Sequence, residues 1–270
     1  MPTKDTLTIL FFGDIVGKPG RRALAAILPD LKKELHPDLT IANAENLAHG
    51  VGVTQKTLDE CMQAGINFFT SGNHIWKKPV VENIFKSQSA PLLRPANYPT
   101  DMPGYGHQIV NIGEKKLLVV NLNGKVFIED EFTCPFHAID AILDQYSNDD
   151  YAGVFVDFHA EATSEKIAFG WYTDGRITAM LGTHTHIVTA DETVLPQGTA
   201  YQTDVGMVGL KESVIGVDKD IIIEKFLTGK SKAHDIPEHG NCIVNATMIT
   251  IDPQTRKALS IKRIFNEVTV

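Results

Sequence analysis

Eight side chains able to ligate metal or move a proton stand at equivalent places in this chain, each just after a short apolar run. LTILFF runs into Gly13-Asp14, DLTIANA into Glu45-Asn46, INFFTSG into Asn73-His74, GVFVDF into His159, and ITAMLGT into His184-Thr185-His186. Carboxylate, amide and imidazole donors suit divalent or trivalent cations and leave out the thiolates that closed structural zinc sites favour. Alone, each residue has an ordinary explanation. An Asp or Asn after a strand commonly caps a helix or forms a turn, and a single His in an apolar run is commonly a hydrogen-bonded core residue. The His184-x-His186 pair says more, because alternate residues of an extended segment point the same way. Five such strand ends in one chain point to a shared centre.

The elements that must carry these residues are legible. The apolar runs are four to six residues long and show no clean alternation, the pattern of strands buried on both faces. Helical spacing lies between some of them. Leu24, Leu28, Leu31 and Leu35 predict a helix over 20–35, with Pro29 predicting a kink or a break into two pieces. TQKTLDECMQAG predicts a helix from Thr54 that stops at Gly65. PVVENIFK and FHAIDAILDQY predict two more, while GYGHQIVNIG with KKLLVVNLNG and NCIVNATMITID with ALSIKRIF predict antiparallel hairpins. Strands alternating with helices predict a layered α/β domain. In such sheets ligands bind beyond the carboxyl ends of the strands, so parallel neighbours would bring all eight residues to one crevice. Residues 1–270 show no repeat and no linker, which predicts a single domain.

Composition sets outer limits. At 270 residues, 43% hydrophobic and 21% charged, the chain can bury a large core. A net charge of −8 argues against long nucleic acid as a partner, because such binding neutralises phosphates with Lys and Arg. A small anion remains open, since bound cations would reverse the sign locally. Cys61, Cys134 and Cys242 are far apart and form no CxxC pair, which predicts reduced thiols. No apolar run is long enough to span a membrane, and the expected location is the cytoplasm.

Two tempting motifs fail. The segment Gly13 to Pro19 is a residue short for a phosphate-binding loop and puts Pro19 where Ser or Thr should stand. His159-Ala160-Glu161 has the His-x-Glu of zinc deaminases without their downstream cysteines, leaving Glu161 as a loop carboxylate or a partner orienting a ligating His. Arg94 and Asn97 are candidates for a substrate cleft or a rigid loop. His49 reads as a loop residue, and Asp204 is a weak candidate for the site.

The order Gly13-Asp14, Glu45-Asn46, Gly72-Asn73-His74, His159 and Gly182-Thr183-His184-Thr185-His186 resembles the calcineurin-like metallophosphoesterases. It is most similar to their YmdB-like branch of bacterial 2′,3′-cyclic-nucleotide phosphodiesterases, through FGDIVGKPGR (12–21), NAEN (43–46), SGNHIW (71–76), RPANYP (94–99), HAEATSEK (159–166) and GTHTH (182–186). Most of the wider superfamily reads Asp-x-His at the first motif and uses a bridging Asp. Here Val16 and Glu45 stand there, as in the narrower branch. The resemblance implies a four-layer sandwich of two mixed β-sheets flanked by helices. It implies that Asp14, Glu45, Asn46 and His186 hold one metal and that Glu45, Asn73, His159 and His184 hold the other, with Asn46 or water in the position Val16 leaves open. It also implies iron or manganese, with zinc as an alternative, and a homo-oligomer. Two metals about 3.5–4 Å apart can clamp a phosphate with a bridging hydroxide, and His74 would protonate the leaving oxygen as general acid. The expected substrate is a small phosphodiester such as a 2′,3′-cyclic nucleotide. A phosphomonoesterase, a nuclease, or a nucleotide-sensing regulator with slow turnover would use the same residues.

Overall fold

Leu7, Ile9 and Phe11 lie in one apolar cluster, Leu10 and Phe12 in another, and all five are buried. A strand buried on both faces is the reason the first apolar run shows no alternation. The computed structural model describes residues 6–87, 90–230 and 235–270. In chain order the strands are β1 (Leu7–Ile15), β2 (Leu39–Asn43), β3 (Phe68–Thr70), β4 (His107–Ile112), β5 (Lys115–Asn123), β6 (Val154–His159) and β7 (Ala179–Thr183). They continue with β8 (Thr193–Val194), β9 (Ala200–Gln202), β10 (Met207–Leu210), β11 (Ser213–Val214), β12 (Val217–Asp218), β13 (Asn241–Asp252) and β14 (Lys257–Thr269). The helices are α1 (Gly17–Leu35), α2 (Gln55–Ala64), α3 (Val81–Phe85), α4 (Pro135–Gln145), α5 (Thr163–Thr173) and α6 (Lys219–Thr228), with a 3-10 turn at Asn73–Lys77.

Two mixed sheets result. One has the order β14-β13-β10-β1-β2-β3, the other β4-β5-β6-β7-β9-β8. β1, β2 and β3 pair parallel in the first, and β5, β6 and β7 pair parallel in the second. Both expected hairpins form, β4 with β5 and β13 with β14. Between the sheets lies a core that includes Ile9, Phe11, Val119, Phe155 and Leu181, where the Phe11 and Phe155 rings meet edge-on at 5.1 Å. On its other side the first sheet packs Leu10 and Phe12 against Leu24 and Leu28 of α1 and Leu58 of α2. The second packs Val156 and Phe158 against Ile139 of α4 and Phe169 of α5. The architecture is therefore helix, sheet, sheet, helix, as the resemblance implies.

The helix signals hold with one correction. Thr54 caps α2 through a reciprocal bond pattern with Thr57, and Gly65 closes it at φ 120°. Of the two outcomes expected at Pro29, a kink or a break into two pieces, the break does not occur, because α1 runs as one helix from Gly17 to Leu35. Pro29 and Ala25 both face solvent, so the carbonyl that loses its donor can be hydrated.

Candidate metal centre

The eight residues are delivered by strand ends from both sheets. Asp14 lies near the end of β1, Glu45 and Asn46 follow β2, and Asn73 and His74 open the 3-10 turn after β3. His159 ends β6, and His184 and His186 follow β7. The strands are parallel neighbours within each sheet, and the crevice they form lies between the two sheets. Close approach is needed here. A Cβ on Gly13 would come within 1.8 Å of the Gly206 carbonyl oxygen, and one on Gly72 within 2.2 Å of His159 Nε2 and 2.3 Å of Glu45 Oε2. Glycine at position 72 is what lets the side chains of the two sheets meet.

Two donor groups share Glu45. Glu45, His159 and His184 form one, and Asp14, Glu45 and His186 form the other, with the ligand atoms of each within 4.8 Å of one another. In the first, His159 Nε2 lies 3.1 Å from Glu45 Oε2, 3.2 Å from Asn73 Oδ1 and 3.0 Å from His184 Nδ1. In the second, Asp14 Oδ1 and His186 Nε2 are 3.9 Å apart, and the Asn46 amide nitrogen lies 3.1 Å from His186 Nε2 and 3.0 Å from Glu45 Oε1. The Asn46 amide oxygen faces His74 Nδ1 at 2.9 Å. Turning that amide by half a rotation would present its oxygen to His186 instead, and the placement of O and N in an amide follows its hydrogen-bond partners.

Each histidine has its outer nitrogen held, which fixes which nitrogen keeps a lone pair for the centre. Thr183 Oγ1 donates to Asp157 Oδ1 at 2.7 Å and can accept from His159 Nδ1 at 2.9 Å. His184 Nε2 faces Glu161 Oε2 at 3.1 Å, so the sequence reading of Glu161 as a partner orienting a ligating His fits the geometry. His186 Nδ1 donates to the Ile215 carbonyl at 2.8 Å. His184 and His186 both sit at positive φ, 99° and 66°. Such backbone persists only where its surroundings over-determine it. Here Asp14 Oδ2 accepts the His184 amide at 3.0 Å, Lys166 Nζ donates to the Thr183 carbonyl at 2.8 Å, and Asp204 Oδ2 accepts from the Thr185 amide and hydroxyl. Lys166 and Asp204 are themselves a buried ion pair at 2.8 Å.

The electrostatics suit a cation. Burial opposes charge on Glu45, but His159 and His74 outweigh it and hold the carboxyl well below its usual range. Burial likewise opposes charge on His159, yet Glu45 and Asp14 push its pKa up to about 9. Positive charge is therefore stabilised at this point. His184 goes the other way, to about 3, through burial and then the charge of His159, so its Nδ1 lone pair is available. Burial raises Asp14, and among the described residues its Oδ1 has no hydrogen-bond partner. A buried carboxylate oxygen without a donor is costly, and a metal ion would satisfy it. The donor set and the orphaned oxygen both fit the expected metals.

His74 differs from the ligands. Its side chain is 32% exposed, and its Nδ1 faces Glu45 Oε1 at 3.2 Å and the Asn46 amide oxygen. It lines an opening of about 340 Å³ with Asn73, Lys77, Phe127 and His184. A larger groove of about 810 Å³ lies between α1 and α2 and is lined by His49 and no residue of the centre. Arg94 and Asn97 are structural. Arg94 donates to the carbonyls of Pro95, Met102 and Pro103, and Asn97 brackets the Asn123 backbone and the Thr133 carbonyl. Sequence reasoning missed Asp157, Lys166 and Phe127. An acidic residue inside the apolar run GVFVDF was a usable signal for Asp157. Lys166 ends the HAEATSEK string, but nothing there marked it as buried, since a buried lysine and a surface lysine look alike in a helix.

A family model described as YmdB-like protein matches residues 10–264. A Bacillus subtilis (strain 168) protein named 2′,3′-cyclic-nucleotide 2′-phosphodiesterase is 44% identical over 261 residues, covering 96% of each chain. The crystal structure of a hypothetical protein from Thermus thermophilus superposes with a TM-score of 0.89 at 38% identity, covering 97% of this chain and 99% of that one. That of a Mycoplasma pneumoniae protein described as a novel phosphatase gives 0.90 at 33% identity, covering 97% and 94%. With the same fold over 97% of its length and a family match spanning both sheets, the chain belongs to the YmdB-like family.

Proposed function

We infer that this phosphoesterase is a dinuclear-metal enzyme that hydrolyses small phosphodiesters, with 2′,3′-cyclic nucleotides as the substrate class. The observation that carries the reading is the pair of donor groups joined at Glu45. Asp14, Glu45, Asn46 and His186 would hold one metal, and Glu45, Asn73, His159 and His184 the other. Bound there, the metals would lower the pKa of water and polarise the phosphoryl group. Oxygen and imidazole donors without thiolate favour iron or manganese over a structural zinc, with zinc in an open catalytic site as the alternative. The substrate class follows the named activity of the Bacillus subtilis relative.

His74 is the residue we assign to proton transfer. It is the partly exposed member of the cluster and borders the opening. With Nδ1 turned to Glu45 and Asn46, Nε2 is the nitrogen free to meet a leaving oxygen. Burial disfavours the His74 charge, but the Glu45 hydrogen bond and charge outweigh it and raise the pKa. That shift has the sign a general acid requires.

We read residues 1–270 as one domain, since the sheets share a continuous core. None of the helices among the described residues is long and apolar enough to cross a membrane. We place the protein in the cytoplasm, as a homo-oligomer acting on a small ester rather than on long nucleic acid. The test is hydrolysis of 2′,3′-cyclic AMP by manganese-loaded protein beside a chelator-stripped control, with bound metal counted. Two metals per chain and metal-dependent turnover support the reading. Two metals with turnover only of phosphomonoesters would move the substrate class toward that of a phosphatase, as the Mycoplasma pneumoniae protein is described.

A further inference from the structure

The opening that exposes His74 has an aromatic wall. Phe127 is 83% exposed and lines this opening with Asn73, His74, Lys77 and His184. A phenylalanine this exposed leaves nearly its whole ring in water, which burial would otherwise favour by about 1.5–3 kcal/mol. Its backbone is unusual as well, at φ 67°. A bulky residue in the left-handed region is a true outlier, and such strain gathers at ligand-binding positions.

The segment bearing Phe127 is tied at both ends. Upstream, the Glu165 carboxylate at the first turn of α5 accepts the amides of Lys125 at 2.9 Å and Val126 at 3.1 Å. Gly124 allows that approach, because a Cβ there would lie 2.5 Å from Glu165 Oε2. Downstream, Tyr98 Oη donates to Asp130 Oδ2 at 3.1 Å. The Phe127 ring is thus presented from a held turn, four residues beyond the end of β5, whose Asn123 pairs in register with His159 of β6. A ring held beside a metal centre and left without an apolar cover suits a flat aromatic ligand, and the opening's volume of about 340 Å³ lies within the range of small-ligand sites.

We propose that Phe127 is the platform on which the nucleobase of the substrate stacks while its phosphate occupies the centre, and that Glu165 positions the platform by holding its turn. The proposal rests on the nucleotide reading above. Stacking on an aromatic face tolerates every base, so the enzyme would prefer nucleotides over base-free esters while discriminating weakly among the four bases.

The test compares 2′,3′-cyclic AMP with 1-O-methylribose 2,3-cyclic phosphate, which keeps the ring and ester and lacks the base, on the metal-loaded enzyme. In Phe127→Ala the preference for cyclic AMP over the base-free ester, read as the ratio of kcat/KM, should fall about 5- to 150-fold, mainly through KM. Phe127→Trp should restore it. Glu165→Ala should lower the same ratio by a smaller factor, with bound metal unchanged. A ratio that stays put in Phe127→Ala, or that Phe127→Trp fails to restore, overturns the proposal and leaves the phosphodiesterase reading intact. Wild-type enzyme that hydrolyses the base-free ester and ignores cyclic AMP overturns the nucleotide reading and the proposal together.

Discussion

The floor and the rim of the site are built by opposite means. On the floor, His159 and Asp14 are fully buried, Glu45 nearly so, and the outer nitrogen of each of His159, His184 and His186 is held by a carbonyl, a carboxylate or a hydroxyl. The rim turn carrying Phe127 is held by two backbone amides and one tyrosine bond, and its central side chain stands in water. The floor comes from strand ends locked into two sheets, so its geometry is inherited from the core. The rim comes from a loop, so its geometry is set by a few local bonds. A site of this kind keeps its chemistry fixed while its specificity can be altered by loop changes.

The largest expected effects test the floor. Glu45→Gln keeps the shape of the shared residue and removes its charge. It should reduce activity to that of the metal-free protein, with less than two metals per chain by elemental analysis and an unchanged far-UV spectrum. Full activity with two metals bound would reject Glu45 as the shared ligand. His74→Ala comes next and separates proton transfer from metal holding. It should lower kcat about 100- to 10,000-fold, the usual range for losing a general acid, with both metals retained. Loss of metal in that variant would show that His74 is a ligand.

How much of this was legible in the sequence follows the same division. The strand ends spell out the candidate ligands because only certain side chains bind metal, and the apolar runs before them show that they sit at ends. A layered α/β domain was legible through two-sided burial of the runs and the helical spacing of α1 and α2, while the order of four layers came from the family resemblance alone. The supports were harder to see. Asp157 acts through Thr183 and Asn43, partners 26 and 114 residues away in the chain, so no local pattern records the contact. Lys166 meets Asp204 across 38 residues with full burial. Phe127 is an aromatic in a stretch without periodicity, and its exposure is a property of the fold alone. The break that was one of the two outcomes expected at Pro29 is absent for a related reason: whether a proline interrupts a helix depends on which face it occupies.

The buried pair under the ligand loop gives the third prediction. In Lys166→Met the Asp204 carboxylate keeps the amides of Thr185 and Gly206 and the Thr185 hydroxyl as donors but loses its counter-ion. Breaking a buried pair typically costs about 3–5 kcal/mol, and the remaining donors place this case near about 3 kcal/mol. Urea unfolding of the chelated protein measures it. Lys166→Met combined with Asp204→Asn should recover part of the loss, because the uncompensated charge is then gone. A single-variant loss below about 1 kcal/mol would mean that the loop holding His184 and His186 is secured by its backbone bonds alone, and the contrast with the rim would weaken.

The smallest floor effect is at Thr183. Its hydroxyl links the buried Asp157 carboxylate to His159 Nδ1, and burial raises Asp157 to about 6 even with Thr70, Thr183 and Asn43 as hydrogen-bond partners. Thr183→Val keeps the β-branched shape in β7 and removes that link, together with the long contact of 3.4 Å from the Asn43 amide. Without it the His159 ring loses the partner that directs Nε2 toward Glu45, so metal affinity should fall about 10- to 100-fold, the usual range for such orienting groups. Titration with manganese reads this directly, and Thr183→Ser, which restores the hydroxyl, should recover most of the affinity. The ratio of cyclic AMP to base-free ester turnover at saturating metal should not move in Thr183→Val, because the variant acts below the metals while the rim acts above them. A shift in that ratio would show that floor and rim are mechanically coupled, and the division between inherited and locally set geometry would have to be abandoned.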